Sequence, residues 1–191
     1  LNMQTLYLDI ETIPSQDPDL YAKILAEIKP PGSIKKPESI EKWMAENAEA
    51  EAQKKLDKTA VDGSYGEVVV IGFAFDGEEP QSFERVVGMD DEAYLLNEFY
   101  AHIACRLHSQ HEAIQIVGHN VRFDTKFLYQ RSVLNGVRPS FNLRHGNRYN
   151  DQYVFCTMLE WAGWNNYIKL DELVRILGIP LSKDGMNGSQ V

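Results

Sequence analysis

Cysteine is scarce in this sequence. Cys105 and Cys156 are the only two among 191 residues, too few for a disulfide framework, and they read as reduced core thiols. No apolar run approaches the roughly 20 residues that a membrane helix needs, and the N-terminus lacks the basic, apolar, small-residue order of a signal peptide. These absences predict a soluble chain with no membrane partner in a cytoplasmic compartment. Basic residues are also in deficit, with 19 Lys and Arg against 28 Asp and Glu and a formal net charge of −9. Non-specific affinity for nucleic acid comes largely from Lys and Arg neutralising phosphates, so this balance argues against such a partner. A site of clustered carboxylates loaded with divalent cations escapes the argument, because it is acidic in sequence and electropositive when filled. The sequence has no internal repeat and no low-complexity tail.

With 43% hydrophobic residues the chain can bury one sizeable core, and a single domain spanning 1–191 is the expectation. From Thr5 to Thr12, Leu6, Leu8 and Ile10 alternate with Tyr7, Asp9 and Glu11, the period of a strand. Segment 13–59 has a different texture: five prolines, a short amphipathic piece from Leu20 to Ile28, and a long helical run opening with Pro37. It reads as a helical insertion between the first two strands, and its Glu- and Lys-rich stretch from Glu38 to Lys58 as a solvated helix face. Val68 to Phe75 is a nearly continuous apolar run, expected of a strand covered on both faces, and Asp76-Gly77 turns into a hairpin partner, Gln81 to Val87. A helix from Asp90 to Leu107, a strand from Ala113 to Val117 and a helix from Val121 to Asn135 closed by Gly136 follow. A last strand within Tyr149 to Met158 runs into a helix, and Leu170 to Leu177 is a short helix ended by Gly178 and Pro180. The order predicts an α/β fold with a mixed central sheet flanked by helices.

Two carboxylates, Asp9 and Glu11, share one face at the end of an otherwise hydrophobic strand, roughly 7 Å apart along it. Their desolvation is easier to understand if a positive charge sits there, although an isolated Asp-x-Glu is most often an exposed strand end. A second feature, Gly118-His119-Asn120-Val121-Arg122-Phe123-Asp124, lies where a buried strand gives way to a helix. Asn120 suits an N-cap, and the helix dipole alone would favour Asp124 in the first turns. Ligands of open α/β sheets nevertheless gather at the carboxyl ends of strands. If the two strands are neighbours, three carboxylates converge. Hard oxygen ligands without Cys or His suit Mg²⁺ or Mn²⁺ over zinc, and two such ions about 3.5–4 Å apart hydrolyse phosphodiesters.

The Asp-x-Glu-Thr strand and the later Asn-x-x-x-Asp opening a helix resemble the first two motifs of the DEDD exonuclease superfamily. Ile28-Lys29-Pro30-Pro31, Lys36-Pro37-Glu38-Ser39-Ile40, Lys42-Trp43, Gly66 to Gly72 and Lys183 to Val191 resemble, more narrowly, the 3′-to-5′ exonuclease branch related to the proofreading domain of B-family DNA polymerases. The resemblance implies a ribonuclease H-like fold and a two-metal exonuclease using Mg²⁺ or Mn²⁺ on a DNA 3′ end, in replication or repair. It implies that Asp9 bridges both metals, that Glu11 binds the metal on the nucleophile side, and that Asp124 acts chiefly at the other. Thr12, His119, Asn120, Arg122 and Phe123 would meet the substrate. The family's third motif, a Tyr or His followed by a fourth carboxylate, normally lies in a helix after Gly-Ser-Gln-Val. The sequence stops at Val191 and opens on Leu1, so it is expected to be C-terminally incomplete, and weakly active or inactive in that form.

Asp151, before the predicted last strand, is a possible extra carboxylate. Tyr167-x-x-x-Asp171 has the spacing of the third motif, but Asp171 reads as a helix N-terminal residue, and Asp184 as a turn residue. His102, Cys105 and His108 step around a helix, with His111 just beyond, and do not form a zinc set. Arg122, Lys126, Arg131, Arg144, His145 and Arg148 are candidates for a phosphate-tracking patch, with Tyr149 and Trp164 as stacking surfaces. Two further readings stand beside the DNA exonuclease: an exoribonuclease of the same fold, and a non-catalytic nucleic-acid or partner-binding module whose working surface is segment 13–59.

Overall fold

The computed structural model describes residues 3–89, 91–107, 113–146 and 151–180. The chain divides into two compact units, one made of Leu1–Glu11 and Val68–Val191, the other of Thr12–Glu67.

The first unit is a mixed α/β fold built on a five-stranded sheet. Its strands are β1 (Met3–Ile13), β2 (Glu67–Phe75), β3 (Gln81–Glu84), β4 (Ala113–Gly118) and β5 (Val154–Cys156), in the order β3-β2-β1-β4-β5. Its helices are α3 (Glu92–Arg106), α4 (Arg122–Leu134), α5 (Thr157–Ala162) and α6 (Leu170–Ile176), while α1 (Pro18–Ala26) and α2 (Pro37–Asp57) belong to the other unit. In β1 the expected alternation holds: Leu6, Leu8 and Ile10 are buried, while Tyr7 and Asp9 are exposed and Glu11 is half-buried. The apolar run of β2 buries Val68, Val69, Ile71, Phe73 and Phe75. Helix α3 packs Leu95, Leu96, Phe99, Tyr100 and Ile103 into the same core, and α4 adds Phe127 and Leu128. Each such side chain contributes roughly 1.5–3 kcal/mol by leaving water.

β1 pairs in parallel with β4, Leu6 opposite Ile116 and Tyr7 opposite Val117, and β4 pairs in parallel with β5. Parallel pairing brings the carboxyl ends of β1, β4 and β5 to one edge, so the condition for convergence of the two carboxylate motifs is met. Gly118 makes the approach possible: a Cβ there would meet the Leu8 carbonyl oxygen at 2.7 Å and Val121 Cγ2 at 2.9 Å.

Several boundaries differ from the sequence reading, each for a physical reason. β3 stops at Glu84 instead of reaching Val87. Past Glu84 the Arg85 N–H still donates to the Val69 carbonyl at 3.0 Å, but the Arg85 side chain turns its Nε to the Val68 carbonyl at 2.7 Å, and the Val68 N–H donates to Glu92 Oε1 at 2.7 Å. Val86 and Val87 are consequently exposed. Asn120 is not the N-cap of α4: that residue is Val121, which makes no side-chain cap. At its other end α4 closes on Gly136, whose φ is 65°. The Gly136 N–H donates to Val133 O, and the Val137 N–H to Ser132 O, the paired bonds of a Schellman stop.

The second unit holds α1 (Pro18–Ala26), α2 (Pro37–Asp57) and a 3₁₀ turn, Lys58–Val61. Asp17 caps α1 by accepting from the Asp19 N–H at 2.9 Å, with Pro18 in the first helical position. Its small core joins Ile28, Ala48 and Ala52 to the partly buried Tyr21, Ile24, Leu25, Trp43 and Met44. Ala48 and Ala52 are the buried residues of α2, as a charge-rich solvated face requires. The Thr12 hydroxyl donates to the Ala60 carbonyl at 2.6 Å. Among the described residues no helix is long and apolar enough to cross a membrane.

Candidate metal centre

The backbone amide of Ile10 sits between the two β1 carboxylates in sequence, and it donates to Asp124 Oδ1 across 3.0 Å. One hydrogen bond thus ties the first turn of α4 to the acidic end of β1. Asp124 is almost fully buried, 3% exposed, and its carboxyl is pushed up to about 7. Desolvation is the main cause, and the negative charges of Asp9 and Glu11 add to it, while the bonds from the Ile10 and Asp124 amides oppose it. Glu11 is raised by burial and by Asp9. Asp9 lies at an exposed strand position, yet the protein crowding its carboxyl raises it too, partly offset by the Ile10 amide and by His119. The three groups therefore form one electrostatically coupled acidic cluster, in which ionising each makes ionising the next harder.

Among the described residues no group of three or more His, Cys, Asp or Glu is arranged to hold a single metal ion. Asp124 turns Oδ1 to the Ile10 amide. The donor chemistry still suits magnesium-type cations, which keep several waters and take only one or two carboxylates each together with substrate oxygens. Asp9, Glu11 and Asp124 are the residues available to supply them.

His119 follows directly on β4, and both ring nitrogens are engaged. Nε2 lies 2.8 Å from the Ile168 carbonyl, which can only accept, so Nε2 carries the proton; Nδ1 lies 2.9 Å from Thr157 Oγ1. The imidazole pins the segment leading into α6 against the end of β4. A reach toward a scissile phosphate would require breaking these bonds. Asn120 is exposed at a left-handed φ of 58°, a conformation that Asn tolerates better than most residues. It turns the chain sharply enough for the Phe123 N–H to donate to its carbonyl at 2.9 Å. Phe123 is half-buried, 5.5 Å from the Phe127 ring and packed on the core. Arg122 lies under Trp164, its guanidinium carbon 5.2 Å from the ring centroid.

Asp151 Oδ1 accepts from the Tyr153 and Val154 amides at 2.7 and 2.9 Å, a local turn before β5. Arg131 leaves the proposed phosphate patch. Its guanidinium is bidentate on Glu92, with Nη2 2.6 Å from Oε2, and Asn135 Nδ2 adds a further bond at 2.8 Å. Arg144 covers the Tyr153 ring at 4.0 Å, and His145 stacks on Tyr129 at 3.7 Å. His102 packs edge-on against Phe73 and Phe83, and Asp171 lies in the first turn of α6. Arg148, Tyr149, His108, His111 and Asp184 lie outside the described residues. The partners of His119 and the pairing of Arg122 with Trp164 had no signal in the sequence, because each joins segments about 40 positions or more apart through a hydroxyl, a backbone carbonyl or a ring face.

No protein-family model matches the chain. An uncharacterized protein of Methanocaldococcus jannaschii is similar to it, 26% identical over 140 residues that make up 71% of this chain and 70% of that one.

Proposed function

We propose that this protein is a metal-dependent 3′-to-5′ exonuclease of ribonuclease H-like fold, acting on DNA with Mg²⁺ or Mn²⁺ held by Asp9, Glu11 and Asp124. The observation that carries the reading is the 3.0 Å bond from the Ile10 amide to Asp124 Oδ1. It joins the two carboxylate motifs at the carboxyl ends of parallel strands, where α/β sheets collect their ligands. The strand order β3-β2-β1-β4-β5, with β1, β4 and β5 parallel and β3 antiparallel to β2, supports the ribonuclease H-like reading. So does the order of the motifs along the chain.

Bound divalent cations supply charge neutralisation and an activated water for phosphodiester hydrolysis. The side chains contribute the rest. Asp9 and Glu11 offer carboxylate oxygens on one face of β1, and Asp124 adds a buried carboxyl held in orientation by the Ile10 amide. Near neutral pH Asp124 is poised between its two protonation states, so cation binding and proton release at this carboxyl are coupled. His119, fixed between Thr157 and Ile168, keeps the neighbouring loop in register and lowers the ionisation cost of Asp9.

The test is incubation of the full chain with single-stranded and 3′-recessed DNA, and with matched RNA, in the presence of Mg²⁺ or Mn²⁺. Stepwise shortening from the 3′ end, abolished by Asp9→Ala, is expected. Activity that survives Asp9→Ala would remove the mechanism, and shortening of RNA alone would move the substrate from DNA to RNA.

A further inference from the structure

Arg122 carries an unmet demand. Its Nε and Nη2 are both buried, and neither has a hydrogen-bond partner. These two nitrogens form the side-on edge of the guanidinium, the fork that matches two oxygens of a carboxylate or phosphate. Buried donors in folded proteins are almost always paired, and an unpaired one is costly. The ring over this guanidinium is Trp164, which is itself partly open to solvent, 38% exposed.

The segment carrying Trp164 is a tight turn between α5 and α6. The Asn166 N–H donates to Gly163 O at 3.3 Å, and Asn166 Nδ2 to Ala162 O at 3.0 Å. Gly163 and Asn165 both have positive φ, 79° and 63°, so the turn rests on two residues that tolerate conformations most side chains avoid. Beyond Trp164, the His119 bond to the Ile168 carbonyl anchors the far end of the segment to β4. The indole is thus carried on a short arm fixed at both ends, over the cation that opens α4.

We propose that Arg122 and Trp164 form a phosphate subsite at the start of α4, in which the Nε and Nη2 fork grips the phosphate of a nucleoside 5′-monophosphate and the indole is its cover. The assignment deepens the exonuclease reading and rests on it for the identity of the ligand, since hydrolysis from a 3′ end releases such mononucleotides. The fork supplies two charge-assisted bonds to the anion. Rotation of the indole about its own side-chain bonds, on the anchored turn, opens the way to the fork.

The experiment uses the full chain with Trp43→Phe and Trp161→Phe, which leaves Trp164 as the single fluorescent reporter. Thymidine 5′-monophosphate is titrated in EDTA, so that no cation bridges phosphate to the carboxylates, with thymidine and inorganic phosphate as separate arms. The expected result is a saturable change in Trp164 emission with the monophosphate and none with thymidine, with Kd weakened at least about tenfold in both Arg122→Ala and Arg122→Lys. Inorganic phosphate is expected to compete. Emission that ignores the monophosphate, an equal response to thymidine, or a Kd unmoved by Arg122→Lys would overturn the proposal. If Arg122→Ala does not fold, Arg122→Lys, which keeps the charge and loses the fork, decides. Arg122-dependent binding without DNA shortening would leave the subsite standing and sink the exonuclease reading; DNA shortening with Arg122-independent binding would do the reverse.

Discussion

Replacing Asp124 by Asn removes a buried charge while keeping a side-chain oxygen that can accept from the Ile10 amide. The Asp124 carboxyl is raised from 3.8 to about 7, chiefly by burial and secondarily by Asp9. Because the folded-state value lies above that of the unfolded chain, the folded protein holds a proton that the unfolded chain releases, between about pH 4 and 7. Stability therefore falls as pH rises through this window, and above pH 7 the full cost of the buried charge is present. A rise of about three pKa units corresponds to roughly 4 kcal/mol, of which about 3 kcal/mol develops between pH 5 and pH 8. Asp124→Asn should therefore melt higher than the parent at pH 8 in EDTA. The gain should shrink toward pH 5 by roughly 6–12 °C, at about 2–4 °C per kcal/mol for a chain of this size. The same variant should lose nuclease activity, the exchange of stability for function expected of a strained charged site. Thermal unfolding across pH 5, 6, 7 and 8 reads the effect. A variant that melts at or below the parent at pH 8, or a difference that does not change with pH, would refute the reasoning.

The other predictions concern the frame around the cluster. Arg131→Ala leaves Glu92, 4% exposed, as an unpaired buried charge, and should cost about 3–5 kcal/mol in denaturant unfolding; a loss under about 1 kcal/mol would mean that the pair is not the tie described. His119→Phe removes the donor to the Ile168 carbonyl and should speed proteolytic nicking between Gly163 and Lys169, with global stability lowered by about 1–2 kcal/mol; unchanged cleavage there would count against the pin. Gly118→Ala forces a Cβ to 2.7 Å from the Leu8 carbonyl, and should destabilise by about 1–3 kcal/mol, measured by urea midpoint, through separation of β1 from β4. Mg²⁺ should raise the melting temperature more at pH 8 than at pH 6, because at the lower pH it must displace the Asp124 proton; equal shifts would indicate binding elsewhere.

Much of the frame was legible because it rests on local signals. The alternation of Leu6, Leu8 and Ile10, the apolar run of β2, Pro37 at the start of α2 and Gly136 at the end of α4 are period and turn chemistry, which a sequence carries directly. The candidate cluster was half legible. The shared strand face of Asp9 and Glu11 follows from a period of two, but the burial of Asp124 and its bond to Ile10 depend on which strands are neighbours. That neighbour relation is set by packing between β1 and β4, more than 100 positions apart. Misreadings came where a polar side chain had several possible partners. Arg131 looked like a surface cation and is spent on Glu92, whose own burial comes from capping the start of β2 at Val68. Asn120 looked like a cap, yet its left-handed backbone makes it the corner before the helix.

The central claim, that Asp9, Glu11 and Asp124 together hold divalent cations, is tested most directly by titrating Mn²⁺ at pH 8 and reading free ion by electron paramagnetic resonance. The folded protein should take up Mn²⁺ tightly enough to deplete the free signal. The combined Asp9→Asn, Glu11→Gln, Asp124→Asn variant, folded by circular dichroism, should leave that signal unchanged. Uptake by the variant equal to that of the parent would contradict the account.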